Sequence, residues 1–194
     1  MRQSDMPKID VKQNVSELIE NYGLVFSAHC KQIFPYALTS KVRCVNAHPG
    51  YNPYNRGWFP HIFSILNGLP TGITIHEMDE HLDHGKIIVQ QQYEIKSWDT
   101  SESIYAELMQ IERKLLLDWF PKIRDHDYKG IIPDEGNIHY KKDFDKLREL
   151  KLDQMGTLGE HIDLLRALSH GIYRNAYFSD SGEKVYLHLS LEKE

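Results

Sequence analysis

Cysteine is scarce: the chain of 194 residues has two, Cys30 and Cys44. Both sit in apolar, strand-like runs, the setting of plain buried thiols rather than of a disulfide framework. A small cross-linked secreted scaffold is excluded, and a reducing cytoplasm is the expected compartment. No apolar run approaches the length of about 20 residues that crosses a bilayer. The opening MRQSDMPKIDVKQN is polar and lacks the apolar core of a signal peptide, so a soluble, unexported protein is expected. There is no basic excess either, since Lys+Arg 23 against Asp+Glu 28 leaves a net charge of -5. That balance argues against general binding to nucleic acid or membrane surfaces and requires any anionic ligand to be held locally. Internal repeats and low-complexity segments are also missing.

What is present is an alternation of helical and strand-like patterns. Val11, Val15, Leu18 and Ile19 recur at helical spacing and stop near Gly23. LVFSAHC (24–30) is a short apolar run of the kind buried in a parallel sheet. A brief helix (35–41) and a second buried strand, VRCVNAH (42–48), follow it. WFPHIFSILNG (58–68) reads as a helix closed by Asn67-Gly68, while TGITIHEMD (71–79) and KIIVQQQYEIK (86–96) read as strands. Residues 100–124 form the clearest helix, opened by Thr100 with Ser103 and striped by Ile104, Leu108, Ile111 and Leu115. The alternation predicts an α/β domain with a mainly parallel, Rossmann-like sheet over residues 1–125. Residues 126–194 are expected to be a tail: a polar linker, a helix (LGEHIDLLRALSH) and a β-hairpin turning at Ser-Gly. Val185, Leu187 and Leu189 alternate in that hairpin, an edge suited to a second subunit, so a homodimer is expected.

The chemistry is concentrated where VRCVNAH runs into PGYNPYNRG. Residues two apart on a strand share a face, so Asn46 and His48 point to one spot at a strand end. Asp83, in the turn "HLDHG", adds a carboxylate near the end of another strand. Taken singly, a turn Asp is a turn residue and a buried His is a satisfied core residue. The set differs: an amide donor, an imidazole and a carboxylate near sheet ends, where open α/β sheets bind ligands, suit acyl transfer to an amine. The amide and a protonated imidazole can donate to the developing oxyanion, and the carboxylate orients the imidazole and helps to move the amine's proton.

Four ordered motifs carry a resemblance: Asn46-Ala47-His48-Pro49, Tyr54-Asn55-Arg56-Gly57, Asn67-Gly68 with Gly72, and Leu82-Asp83-His84-Gly85. Over roughly residues 24–125 the chain resembles the formyltransferases that use 10-formyltetrahydrofolate. Within them, "NAHPGYNPYNRGWFP", "TIHEMDEHLDHG" and the tail string "LRALSHGIYRNAYF" are most similar to the sugar N-formyltransferases that act on a dTDP-linked 4-amino-4,6-dideoxyglucose. The resemblance implies Asn46, His48 and Asp83 as the catalytic trio. It implies a folate slot lined by Gln32, Ile33, Phe34, Met78, Asp79, Glu80 and Leu82. It also implies a sugar-nucleotide pocket near Lys31, Tyr54 and Arg56, the two cations facing a diphosphate, while Trp98, beside the motif loops, is a candidate for stacking on a base or ring. Relatives of this kind begin with an additional strand, helix and strand, and this chain starts at what would be a later helix.

Two rival readings remain. A metal-dependent hydrolase would use His81, Asp83 and His84 with further imidazoles from His48, His61 and His76; exposed loop histidines are the simpler account, and no metal is expected. A binding protein of the same fold without turnover is the other.

Overall fold

The computed structural model describes residues 9–30 and 32–193. Its central sheet is built from β1 (Leu24–Ala28), β2 (Arg43–His48), β4 (Thr71–Glu77) and β5 (Ile87–Tyr93), in the order β1-β2-β4-β5. The α/β class, the tail helix and the hairpin are as expected, but the sheet is mixed rather than mainly parallel. Only β1 and β2 run parallel in it, with Leu24 opposite Arg43, whereas β2 with β4 and β4 with β5 are antiparallel. For β4 and β5 the reason lies in the connection. The loop 78–86 between β4 and β5 is too short for a crossover helix and must reverse the chain, and parallel neighbours need a crossover of a dozen or more residues.

The period-two rule divides β2 between two cores. Val45 and Ala47 join Ile73 and Ile75 of β4, all essentially inaccessible, against α3 (Pro60–Asn67) and α4 (Ser101–Asp125). Cys44, on the other face, packs with Val11, Leu18, Phe34, Leu38 and Val42, the cluster formed by α1 (Val15–Asn21) and α2 (Tyr36–Thr39). Asn46, His48, Thr74 and His76 therefore share the face opposite the larger core. Cys44 is buried as expected, its thiol pushed up to about 11 by desolvation; Cys30 corrects the expectation, being exposed just beyond the end of β1.

The long helix α4 begins with a reciprocal cap, Ser103 N–H to Thr100 Oγ1 and Thr100 N–H to Ser103 Oγ. Its stripe is realised: Ile104 and Leu108 are fully buried, Leu115 is buried and Ile111 packs against the core. Burying a side chain the size of leucine contributes about 1.5–3 kcal/mol, so this stripe anchors the helix to the sheet.

The linker expected after residue 125 is more ordered than its polarity implies. It contributes a two-residue strand, β6 (Ile138–His139), parallel to β3 (Arg56–Gly57), and the short helix α5 (Lys141–Leu147), whose Phe144 enters the main core. Then α6 (Leu158–Leu168), capped by Thr157 with Glu160, packs on α3. Its buried Arg166 donates to the carbonyls of Lys96 and Asp99, tying the tail to the loop before α4. The hairpin β7 (Ala176–Asp180) and β8 (Glu183–Leu187) turns at Ser181-Gly182, both at positive φ.

Candidate functional site

Asn46 and His48 project from β2 toward the loop that carries Asp83, and the three meet. Asn46 Nδ2 donates to Asp83 Oδ1 at 3.3 Å, and His48 Nδ1 lies 3.5 Å from Asp83 Oδ2. The carboxylate can reach back because Asp83 adopts φ 48, the left-handed region that non-glycine residues rarely occupy. Asn52 fixes that conformation by donating from Nδ2 to the Asp83 carbonyl at 2.7 Å. Gly85 completes the turn, since a Cβ there would run into the Glu77 carbonyl.

Two further groups surround the carboxylate. The Gly57 N–H donates to Oδ2 at 3.2 Å, and His76 Nε2 lies 3.7 Å from Oδ1. His76 sits opposite Asn46 in the β2–β4 register. Its Nδ1 donates to the Glu77 carbonyl at 2.7 Å, which leaves Nε2 to accept from Asn46 Nδ2 at 3.4 Å. His76 was considered from sequence only as a metal ligand; its place in this cluster depends on an antiparallel register that no local pattern reveals. Gly57 was hidden for a simpler reason, because it acts through its backbone.

The electrostatics divide the pair. Burial alone would raise the Asp83 pKa, but His48, His76 and the Gly57 N–H together outweigh it and hold the carboxyl at about 2, so it is ionised at neutral pH. For His48, burial is the largest influence and lowers the pKa; Asp83 opposes it, and His76 and Arg56 add to the lowering. The resting imidazole is neutral. With its Nδ1–H turned to Asp83, its other nitrogen, Nε2, is buried and has no hydrogen-bond partner. A buried nitrogen lone pair beside an oriented carboxylate is a proton acceptor.

Next to the cluster lies a cavity of about 210 Å³ whose lining includes Asn46, His76 and Asp83. Gln32, Ile33, Phe34, Met78, Asp79, Glu80 and Leu82, the residues proposed for the folate slot, all line it. Whole-ligand pockets span roughly 300–1,000 Å³, so this one has room for part of such a ligand and not for the whole. Ile33 and Leu82 stand exposed at its wall, apolar surface that a flat ring would cover. A larger cavity, about 350 Å³, lies between α5, α6 and the end of α3 and touches none of the cluster.

The other candidates are more scattered. Arg56 adjoins the cluster on β3, its Nε buried without a partner. Tyr54 lies in the turn before it, half-buried. Trp98 does not line the cavity; Lys193 sits over its ring at 4.4 Å. Lys31 lies outside the described residues. His81 and His84 turn to other partners, His84 Nδ1 meeting Asp79 at 2.8 Å, and among the described residues no cluster of three or more metal-ligating side chains is present.

Residues 4–119 match the family described as formyl transferase, and residues 143–193 match the N-formyltransferase dimerization C-terminal domain. The chain belongs to the formyltransferase family. It is 54% identical over 191 residues to the dTDP-4-amino-4,6-dideoxyglucose formyltransferase of Mycobacterium bovis, covering 97% of this chain and 82% of that one. A sugar N-formyltransferase structure from a Shewanella species superposes with a TM-score of 0.94 at 48% identity, over 96% of this chain and 77% of that one. A formyltransferase of Anoxybacillus kamchatkensis, solved with UDP-4,6-dideoxy-4-formamido-L-AltNAc and tetrahydrofolate, has a TM-score of 0.64 at 32% identity, over 72% of this chain and 74% of that one. Family membership makes this formyltransferase an enzyme of one-carbon transfer, and no described helix is long and apolar enough to cross a membrane.

Proposed function

We propose that this formyltransferase moves a formyl group from 10-formyltetrahydrofolate to the 4-amino group of a dTDP-linked amino-dideoxy sugar of the dTDP-4-amino-4,6-dideoxyglucose kind. The observation that carries the reading is the convergence of Asn46, His48 and Asp83 beside a cavity, with His48 Nε2 left without a partner. The similarity to the M. bovis enzyme supports the sugar, and the tetrahydrofolate in the A. kamchatkensis structure supports the donor.

The walls of the cavity, Gln32 to Phe34 and Met78 to Leu82, are the residues that would hold the folate ring. Bound there, the donor supplies an activated formyl carbon attached to an amine leaving group. The sugar's neutral amine adds to that carbon, and the carbonyl electrons move onto oxygen. Asn46 Nδ2 donates to this oxygen, giving up long bonds of 3.3 and 3.4 Å for a stronger one. His48 Nε2 takes the proton that the attacking nitrogen sheds, and Asp83 stabilises the resulting imidazolium across 3.5 Å. The imidazolium then faces the charged oxygen and completes its stabilisation. As the carbonyl re-forms and the bond to the folate nitrogen breaks, His48 returns the proton to that nitrogen and is neutral again. No Ser or Cys nucleophile takes part.

Arg56, with Lys31, is assigned to the diphosphate, Tyr54 to the sugar-nucleotide pocket and Trp98 to the base or ring. We further propose a cytoplasmic homodimer, formed through the C-terminal helix and hairpin, that serves lipopolysaccharide or O-antigen synthesis. The test is turnover with a panel of dTDP- and UDP-linked 3-amino and 4-amino sugars, read by mass. A formyl gain confined to the dTDP-4-amino sugars supports the reading; binding of both substrates without any gain removes it.

A further inference from the structure

Asp83 Oδ2 accepts a bond from the Gly57 N–H, and that donor lies on a strand paired with the linker. Strand β3 is held by β6: Arg56 N–H donates to the Asn137 carbonyl at 3.0 Å and Trp58 N–H to the His139 carbonyl at 2.9 Å. Successive N–H groups of an extended segment point to opposite sides. With those of Arg56 and Trp58 committed to β6, the Gly57 N–H is turned the other way, onto Asp83 Oδ2. Gly57 itself is at φ +92, and a Cβ there would collide with the His139 carbonyl, so the two backbones are in close approach.

Asn137 sets the register of this pairing. Its Oδ1 accepts from Asn55 N–H at 2.8 Å and its Nδ2 donates to Asn55 Oδ1 at 2.7 Å, a two-point clamp on the residue just before β3. Asn55 is fully buried at φ 49, and its Oδ1 also accepts from Asn67 Nδ2 at 2.8 Å. His139 stacks on Phe63 at 3.6 Å, seating β6 on α3. Asn137 belongs to neither of the two stretches that match family descriptions, 4–119 and 143–193.

We propose that Asn137 is a positioning residue for formyl transfer: by clamping Asn55 it locks β6 onto β3, aims the Gly57 N–H at Asp83, and so holds the carboxylate against His48. This rests on the roles given to Asp83 and His48 above. Asn137 touches no reacting atom, so its loss acts on kcat and leaves the KM of both substrates within about twofold.

The experiment measures kcat, KM, thermal melting and hydrogen exchange at the Gly57 amide for the wild type, Asn137→Ala, Asn137→Asp and Asp83→Asn. Asn137→Ala is expected to lose about tenfold in kcat, the scale on which residues that orient reacting groups act, with the Gly57 amide exchanging faster. Asn137→Asp keeps the acceptor for Asn55 N–H but turns a carboxylate oxygen onto Asn55 Oδ1, replacing the donor with a repulsion, so it must show both effects as well. In each variant that melts cooperatively, kcat and Gly57 protection must fall together. A fall in kcat with Gly57 still protected, or wild-type kcat with Gly57 exposed, overturns the proposal, as does Asn137→Ala turning over at the wild-type rate. If Asn137→Ala does not fold, Asn137→Asp decides by the same rule, and unchanged values of both quantities in it count against the clamp. An inactive Asp83→Asn beside a fully active Asn137→Ala would sink this inference alone; an active Asp83→Asn would sink the catalytic reading beneath it.

Discussion

Replacing Asp83 by Asn keeps the side-chain shape and removes its charge, which isolates what the carboxylate does for His48. In the proposed sequence of events His48 becomes an imidazolium only while the reaction is under way, so stabilisation of that cation by Asp83 lowers the barrier and not the ground state. At the observed 3.5 Å, a unit charge pair at an effective dielectric of about 20 is worth about 5 kcal/mol. One factor of ten in rate corresponds to about 1.4 kcal/mol, so Asp83→Asn should lose roughly a thousandfold to ten-thousandfold in kcat. The amide adds a second fault. Its NH2 group must face either the Gly57 N–H or Asn46 Nδ2, both donors to the carboxylate now. Formation of the formamido sugar nucleotide at saturating substrates is the assay, with thermal melting run beside it to separate lost chemistry from lost folding. A folded Asp83→Asn variant that retains more than about a tenth of wild-type kcat would refute the reasoning.

Gly57→Ala places a Cβ against the His139 carbonyl at a φ of +92; it should destabilise the protein by about 1–3 kcal/mol in chemical denaturation and lower kcat by shifting the donor to Asp83, whereas wild-type values for both would contradict the geometry. Stability should fall with acid. His61 is held at about 3, first by burial and then by His170, so the unfolded chain, with its ordinary value of 6.5, takes up the proton before the folded one does. That contribution is complete above pH about 6.5 and is lost toward pH about 3 at about 1.4 kcal/mol per pH unit; the lowered pKa of buried His48 acts in the same direction, and denaturation midpoints that do not change between pH 6.5 and 5 would be the contrary result. Metal analysis of the purified protein should find no stoichiometric zinc, and turnover should survive a chelator; one zinc per chain with activity lost on chelation would favour the hydrolase reading through His81 and His84.

The parts of the fold that were legible in the sequence are those set by local periodicity. The stripe Ile104, Leu108, Ile111 and Leu115, the Thr100 cap and the Ser181-Gly182 turn could all be read from neighbours within a few residues, and each is in place. The common face of Asn46 and His48 followed from the same period-two rule. The direction of β5 was legible from the short loop after Glu77, which must reverse the chain, but that of β4 was not, because the connection from β2 is long enough for either direction and buried strands of both kinds share an apolar composition. The linker was undervalued because β6 is only two residues long and its worth comes from Asn55, more than eighty positions away by the separation of 82 between bonded partners. His76 is comparable: the alternation in TGITIHE sets it with Thr74 on the face away from Ile73 and Ile75, and only the register with Asn46 brings it to the carboxylate. Asp83 itself was recognisable through its motif, while the left-handed backbone and the Asn52 bond that turn it inward come from the tertiary fold.

The central claim is that one imidazole nitrogen, His48 Nε2, accepts the proton of the attacking amine. Its most direct test is the pH dependence of kcat/KM for the wild type beside His48→Ala, both shown to be folded. The account predicts a wild-type rate that declines on the acid side as one group protonates, and a His48→Ala variant with essentially no formyl transfer at any pH. A variant that transfers the formyl group at a rate near wild type, with the same acid limb, would contradict it.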